Sequence, residues 1–160
     1  MARETPEPRP AIARRWTVEQ ANAHLPQLDE VLPQLRVMVD RLRAVHEEVH
    51  RLASFWGSEI DSADLPDREH KDRLDQEWRR LTQRIEDRVG ALREEGIEIK
   101  DLDSGLIDFY GTVDGELVFL CWQRGEDRVA YYHPLSGGYR TRRPIEKNAR
   151  RATVDPRGSH

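Results

Sequence analysis

Five residues carry the sharpest chemistry in this sequence: His46-Glu47-Glu48-Val49-His50, an H-E-x-x-H pattern. Residues four apart on a helix face the same way, so His46 and His50 can offer two imidazoles to one Zn²⁺. Glu47 lies one residue step, about 100°, round the helix and can reach a metal-bound water as general base. A third ligand must come from elsewhere. Glu69 or His70 near the start of a second helix and Glu77 further along it are the candidates, with His24 and His133 more remote. The competing reading is structural: His46 sits in an apolar seam and His50 is solvated at its edge. The sequence has no glycine-marked extension with a third histidine, and no strand precedes the helix to hold an extended substrate.

A second constellation lies in the last third of the chain: Asp108, Cys121, Trp122, Tyr132, His133 and Arg143. A strand pair can bring Cys121 and His133 together, which is a nucleophile–base combination. Cys121 also sits within the apolar run Leu117–Trp122, where a free cysteine reads as a small buried hydrophobe. His133 ends its strand beside Pro134 and the Gly137-Gly138 loop and is expected to be exposed. Asp108 interrupts an apolar strand as a solvent-facing residue does, and Arg143 is a candidate partner for it. Together with Trp122 and Tyr132 these residues form the expected recognition edge. Gly137-Gly138 and the basic run from Arg140 to Arg151 could cradle phosphate or touch RNA. Pro144 allows no helix there, and a solvated tail is the preferred reading.

The elements that must position these groups follow from periodicity. Thr17 and Gln20 have capping-box spacing, with Trp16 just before the cap. A short helix is expected from Val18 to about His24, and Pro26 either kinks it or opens a new helix. Leu25, Leu28, Leu32, Leu35, Val39, Leu42, His46, Val49 and Ala53 then recur in steps of three and four. Val31, Met38, Val45 and Leu52 form a second row. Pro33 should bend this helix without ending it, and Gly57 should close it. A polar loop over 58–66 leads to a second helix from about Asp67 to Glu95, with Leu74, Trp78, Leu81, Ile85, Val89 and Leu92 on one face. The period changes to two at Ile97. Turns at Asp103–Gly105, Asp114-Gly115 and Arg124–Asp127 separate three or four short strands, the last over 129–133. The expected fold is α+β: a long antiparallel helical hairpin (a kinked N-terminal helix and a second helix) followed by a small antiparallel β-meander packed on one end of it. A single domain is expected over 16–145, with the hairpin over 16–95 and the meander over 96–145. Disordered tails are expected at 1–15 and, basic in character, at 146–160.

With 160 residues, 35% charged and 37% hydrophobic, the chain has too much charge for a membrane protein and enough apolar residues for one core. One cysteine excludes an internal disulfide framework and an all-cysteine zinc cage. The opening residues carry no secretory signal, so a cytoplasmic location is expected. A net charge of −4 argues against a general nucleic-acid binder.

Three stretches carry a family resemblance. They are Trp16–Asn22 with Leu25-Pro26; Gly96–Asp101 with Gly105–Phe109; and Leu120-Cys121-Trp122 with Gly125-Glu126, Tyr132-His133, Gly138 and Arg143-Pro144-Ile145. Over residues 16–145 the chain resembles the bacterial domain-of-unknown-function 2203 family. The resemblance implies the fold and a cytosolic location and supplies no reaction. Where that family usually has an acidic or aromatic loop after the histidine, this chain has Pro134–Tyr139, so no binding role is carried over for the loop.

The leading expectation is a non-enzymatic cytosolic binding or interaction protein that recognises its partner by the loop edge of the meander, through Trp122, Tyr132, His133, Arg143 and Asp108. The partner is an unidentified protein or small molecule, with no membrane and no nucleic acid. No cofactor is required. The alternative is a zinc-dependent, peptidase-like hydrolase, with His46 and His50 as ligands and Glu47 as catalytic base. The broad helical stripes also suggest a homodimer.

Overall fold

The computed structural model describes residues 14–146. The two tails read as disordered lie outside the described residues, save for their innermost positions. Helix α1 runs Val18–Trp56 and, after a 3₁₀ turn at Gly57–Asp61, α2 runs Arg68–Glu94. Five strands follow: β1 Ile97–Asp101, β2 Leu106–Val113, β3 Glu116–Gln123, β4 Tyr131–Pro134 and β5 Arg143–Pro144. They pair antiparallel in chain order, β1-β2-β3-β4-β5. The fold is α+β, a helical hairpin followed by a meander, with β5 adding one strand beyond those read from the pattern.

Of the two expectations for Pro26, a kink or a new helix opening there, the new helix is absent. Helix α1 is one 39-residue helix, about 58 Å long at 1.5 Å per residue, and contains both Pro26 and Pro33. Each proline deletes one backbone donor. The apolar row nevertheless keeps its phase through both, with Ala21, Leu25, Leu28, Leu32 and Leu35 all buried in one cluster with the sheet. Continuous packing therefore outweighs two local defects. The expected cap forms: Thr17 Oγ1 accepts from the Gln20 amide at 3.1 Å, and Gln20 Oε1 accepts from the Thr17 amide at 3.1 Å.

The two halves of α1 bury different faces. Before Met38 it backs the sheet, against Ile97, Ile107, Phe109, Val118, Leu120 and Trp122. Beyond Met38 its apolar side packs on α2, and the second row takes over: Val45 is buried with Leu74 and Leu81, flanked by half-buried Leu42, Val49 and Leu52. Val37, Phe55 and Trp78 stay exposed. Trp56 ties the turn of the hairpin, its Nε1 donating to Asp67 Oδ2 at 2.9 Å.

Trp16 joins the layers. Its backbone amide donates to the Tyr110 carbonyl at 2.7 Å and its indole Nε1 to the Glu95 carbonyl at 2.7 Å. Its ring meets Phe109 edge-on, with centroids 5.2 Å apart. One residue thus closes the C-terminal end of α2, extends the edge of the sheet beside β2 and precedes the cap of α1. Gly96 makes room for it. The backbone there has φ +79°, and a Cβ would stand 2.6 Å from the Arg14 carbonyl oxygen. Trp16→Ala should lower the unfolding free energy by about 3–5 kcal/mol, and Gly96→Ala by about 1–3 kcal/mol. Urea titrations followed by circular dichroism will read both, and a change under 0.5 kcal/mol at Trp16 would contradict this role (roughly the surface-substitution level).

Candidate functional site

A sheet backed by helices on one face has a second face to account for. In β2 the residues toward the helices are Ile107, Phe109, Gly111 and Val113, so Asp108 and Tyr110 point the other way. Register places Asp108 opposite Cys121, and Phe119 opposite His133. Asp108, Tyr110, Phe119, Cys121, Tyr131 and His133 therefore share the face without helices. Side chains roof it: Lys100 Nζ lies 4.5 Å over the Phe119 ring, and the Arg142 guanidinium 4.1 Å over the Tyr131 ring. Under this roof Asp108 and His133 are each only 1% exposed and Cys121 is fully buried.

The proton count of the buried pair is fixed by geometry. His133 Nδ1 lies 2.8 Å from the Pro134 carbonyl oxygen, which can only accept, so Nδ1 carries hydrogen. Nε2 lies 2.9 Å from Asp108 Oδ2. One further proton must lie between them, giving either a neutral acid on a neutral imidazole or a carboxylate on an imidazolium. Either way the pair has no net charge, as a buried site requires. Burial pushes the Asp108 carboxyl up, against the opposing pull of His133, a hydrogen bond from Cys121, and Lys100. The second carboxylate oxygen, Oδ1, has no hydrogen-bond partner of ordinary geometry.

Cys121 completes the cluster. One ligand-capable atom from each of Asp108, Cys121 and His133 lies within 4.8 Å of the other two. A nucleophilic triad needs an imidazole nitrogen facing the sulfur. Here both ring nitrogens are engaged elsewhere, one by a carbonyl and one by Asp108. Burial first, and then the neighbouring Asp108 carboxylate, push the thiol up to about 12. The arrangement cannot generate a thiolate by proton transfer to His133 at neutral pH.

A second feature lies at the turn end of the sheet. The β1–β2 turn, the β3–β4 loop and the α1 segment near Pro33 enclose an open cleft of about 960 Å³, with Trp122 on its wall. The two turns are tied together by the Arg124 amide donating to the Gly105 carbonyl at 2.9 Å. Four acidic groups line the cleft, Asp29, Asp103, Glu126 and Asp127, against two basic ones, Arg36 and Arg124. Asp29 pairs with Arg124 at 3.3 Å, Asp103 with Arg36 at 3.7 Å, and Glu126 with Arg142 at 2.8 Å. Asp127 has no ion-pair partner among the described residues.

The family model of an uncharacterized conserved protein, DUF2203, matches residues 14–145. The chain belongs to the DUF2203 family. No curated protein and no solved structure matches it.

Within this DUF2203 fold the expected recognition residues divide between places. Trp122 is a core residue on the helix side that also lines the cleft, its Nε1 donating to the Glu126 carbonyl at 3.0 Å. Tyr132 is half-buried on the same side, and Arg143, its partner in β5, is exposed. The expectation that His133 is exposed is corrected: its strand continues to Pro134 and the ring turns inward to Asp108. Asp108 faces away from the helices, as its interruption of the apolar pattern implies. It is nonetheless buried, and its partner is His133 rather than Arg143.

The H-E-x-x-H residues lie on the hairpin beyond the sheet. His46, Glu47 and His50 are exposed, and His46 is outside the apolar seam, its ring 5.5 Å from that of Trp78. Glu77 is held by Arg41 through two hydrogen bonds of 2.6 and 2.8 Å. Glu69 points into solvent. Among the described residues, Asp108, Cys121 and His133 form the one three-ligand cluster, so neither Glu69, His70 nor Glu77 completes a set with His46 and His50.

The buried thiol has a chemical signature. With EDTA present, iodoacetamide at pH 8 should label Cys121 in the urea-unfolded chain and leave the native chain unlabelled over the same period. Cys121 and Tyr110 are each raised to about 12, from ordinary values of 9.0 and 10.0. The unfolded chain therefore gives up these protons first, so stability is full below about pH 9 and falls as pH rises toward 12. Cys121→Ala should remove the thiol's share of that alkaline loss. Equal labelling of native and unfolded chains would contradict the burial.

Proposed function

We propose that this DUF2203 chain is a non-enzymatic binding protein whose partner enters the cleft at the turn end of the meander. The observation that carries this reading is the cleft itself: an open concavity between the β1–β2 turn, the β3–β4 loop and a proline-containing turn of α1, with ionic groups at its rim. The buried polar cluster supports it by contrast, because both nitrogens of His133 are occupied and the Cys121 thiol is protonated at neutral pH. A binding surface of this kind sits where loops converge on a rigid scaffold.

The rim favours a cationic partner. Three of its four acidic groups are held by arginines, which leaves Asp127 as the acid without an ion-pair partner among the described residues. An arginine- or lysine-bearing segment would gain from Asp127 and from exchange with the Arg36–Asp103 and Arg124–Asp29 pairs. No helix among the described residues is long and apolar enough to cross a membrane. The test is an NMR titration of the full chain with arginine-rich and glutamate-rich peptides of equal length. The arginine-rich peptide should shift the amides of Ser104, Gly105 and Gly125, and Asp127→Lys should weaken that binding by about tenfold. Shifts confined to residues outside the cleft, or equal shifts with both peptides, would contradict the proposal.

A further inference from the structure

The buried cluster on the helix-free face has a composition that recognition at the cleft does not use. We infer that Asp108, Cys121 and His133 form a binding site for a divalent transition-metal ion, Zn²⁺ first among them. Three observations carry this. One donor atom from each side chain already lies within 4.8 Å of the other two. Asp108, 1% exposed, keeps one carboxylate oxygen without a partner of ordinary hydrogen-bond geometry. His133 donates Nδ1–H to a backbone carbonyl, which leaves Nε2 as the atom presented to the cluster. That outer hydrogen bond is the one metal-bound imidazoles ordinarily make, and it sets ring orientation and tautomer in advance.

Charge accounting favours the ion. Without metal, Asp108 and His133 share one proton beyond that on Nδ1, and Cys121 holds its own, so the cluster is neutral. With Zn²⁺, a thiolate, a carboxylate and a neutral imidazole again sum with the ion to zero. One Zn²⁺ enters and two protons leave: the one shared between Asp108 and His133, and the one on sulfur. No net charge is buried, and the lifted thiol proton is replaced by a strong metal–sulfur bond. The nearby Arg142 is already neutralised by Glu126, its Nη2 lying 2.8 and 2.9 Å from the two carboxylate oxygens.

Geometry asks little of the fold. Zinc bonds of about 2.0 Å to nitrogen and oxygen and about 2.3 Å to sulfur put neighbouring tetrahedral ligands roughly 3.3–3.8 Å apart. Replacing the shared proton by the ion widens the present Nε2–Oδ2 distance of 2.9 Å by about half an ångström, while the sulfur moves in by about an ångström or less. These are side-chain adjustments on three paired strands. One sulfur, one imidazole and one carboxylate favour Zn²⁺ over Mg²⁺ or Ca²⁺ and leave a fourth position to a ligand outside this set. This inference stands apart from the cleft reading and from the His46–His50 pair.

The experiment uses the full chain without an affinity tag. ZnCl₂ titrated by calorimetry in two buffers of different ionisation enthalpy should give one ion bound and two protons released per chain. Co²⁺ should produce a thiolate-to-cobalt charge-transfer band together with intense tetrahedral visible bands. Cys121→Ala should abolish the band, Asp108→Asn should weaken zinc by more than about a hundredfold, and His50→Ala should leave both unchanged. No binding at micromolar Zn²⁺, a proton count other than two, or zinc that survives Cys121→Ala and is lost in His50→Ala would overturn the inference. If Cys121→Ala does not fold, the cobalt spectrum of the unaltered chain decides alone: without the thiolate band the site is refuted.

Discussion

A sheet covered by helices on one face must keep its other face out of water with side chains alone. That constraint shapes most of this molecule. The buried helix-facing residues of β2 and β3 are apolar, and α1 lies across them in an unbroken run. The opposite face has no second layer among the described residues, so its centre is closed by Lys100 over Phe119 and by Arg142 over Tyr131. Lys100 can do this because its stem is apolar and its head reaches water, while the largely buried Arg142 head is neutralised by Glu126. Beneath them Asp108 and His133 are tolerable only as a pair, since either one alone would bury an unmatched charge or an unmet hydrogen bond.

The same economy explains Trp16. A hairpin of two long helices has few contacts to hold it against a sheet that follows it in the chain. Trp16 supplies three at once: a β-bridge beside β2, a hydrogen bond to the end of α2 and an aromatic contact with Phe109. With these in place the proximal half of α1 is fixed, and the distal half packs its apolar side on α2. The site and the cleft both lie on the anchored part of the molecule, where strand positions are set by neighbours on both sides.

Much of the architecture was legible because local signals and packing agree. The Thr17–Gln20 cap, the change from period 3.6 to period two at Ile97 and the Asp114-Gly115 turn all mark real boundaries. Pro26 misled, because its cost is local and known whereas the packing that offsets it depends on a sheet about 70 residues further on, from Pro26 to Ile97 at the start of β1. The adjacency of Asp108 and Cys121 was within reach. A two-residue turn at Asp114-Gly115 pairs Val113 with Glu116, and five steps back along each strand arrive at Asp108 and Cys121. His133 offered no such signal, because a loop rather than a tight turn joins β3 to β4 and leaves the register open. A histidine beside Pro134 and two glycines looks exposed until the roof over the outer face is known. The H-E-x-x-H pattern shows the converse: helical spacing brings two histidines to one side, but a third ligand depends on the partner helix, and there Glu77 is taken by Arg41.

The polar centre and the cleft are separate in position and in chemistry. One is closed, neutral and built from three strands, while the other is open, ionic and built from turns. The claim on which the chemistry of the closed centre turns is the placement of a single hydrogen on His133. The ¹⁵N shifts of its imidazole ring, read in the metal-free protein near neutral pH, test it most directly. Hydrogen on Nδ1, with Nε2 as the nitrogen that shares its proton with Asp108, is the expected result. A ring carrying hydrogen on Nε2 and none on Nδ1 would break the Pro134 hydrogen bond and contradict the arrangement from which the rest is derived.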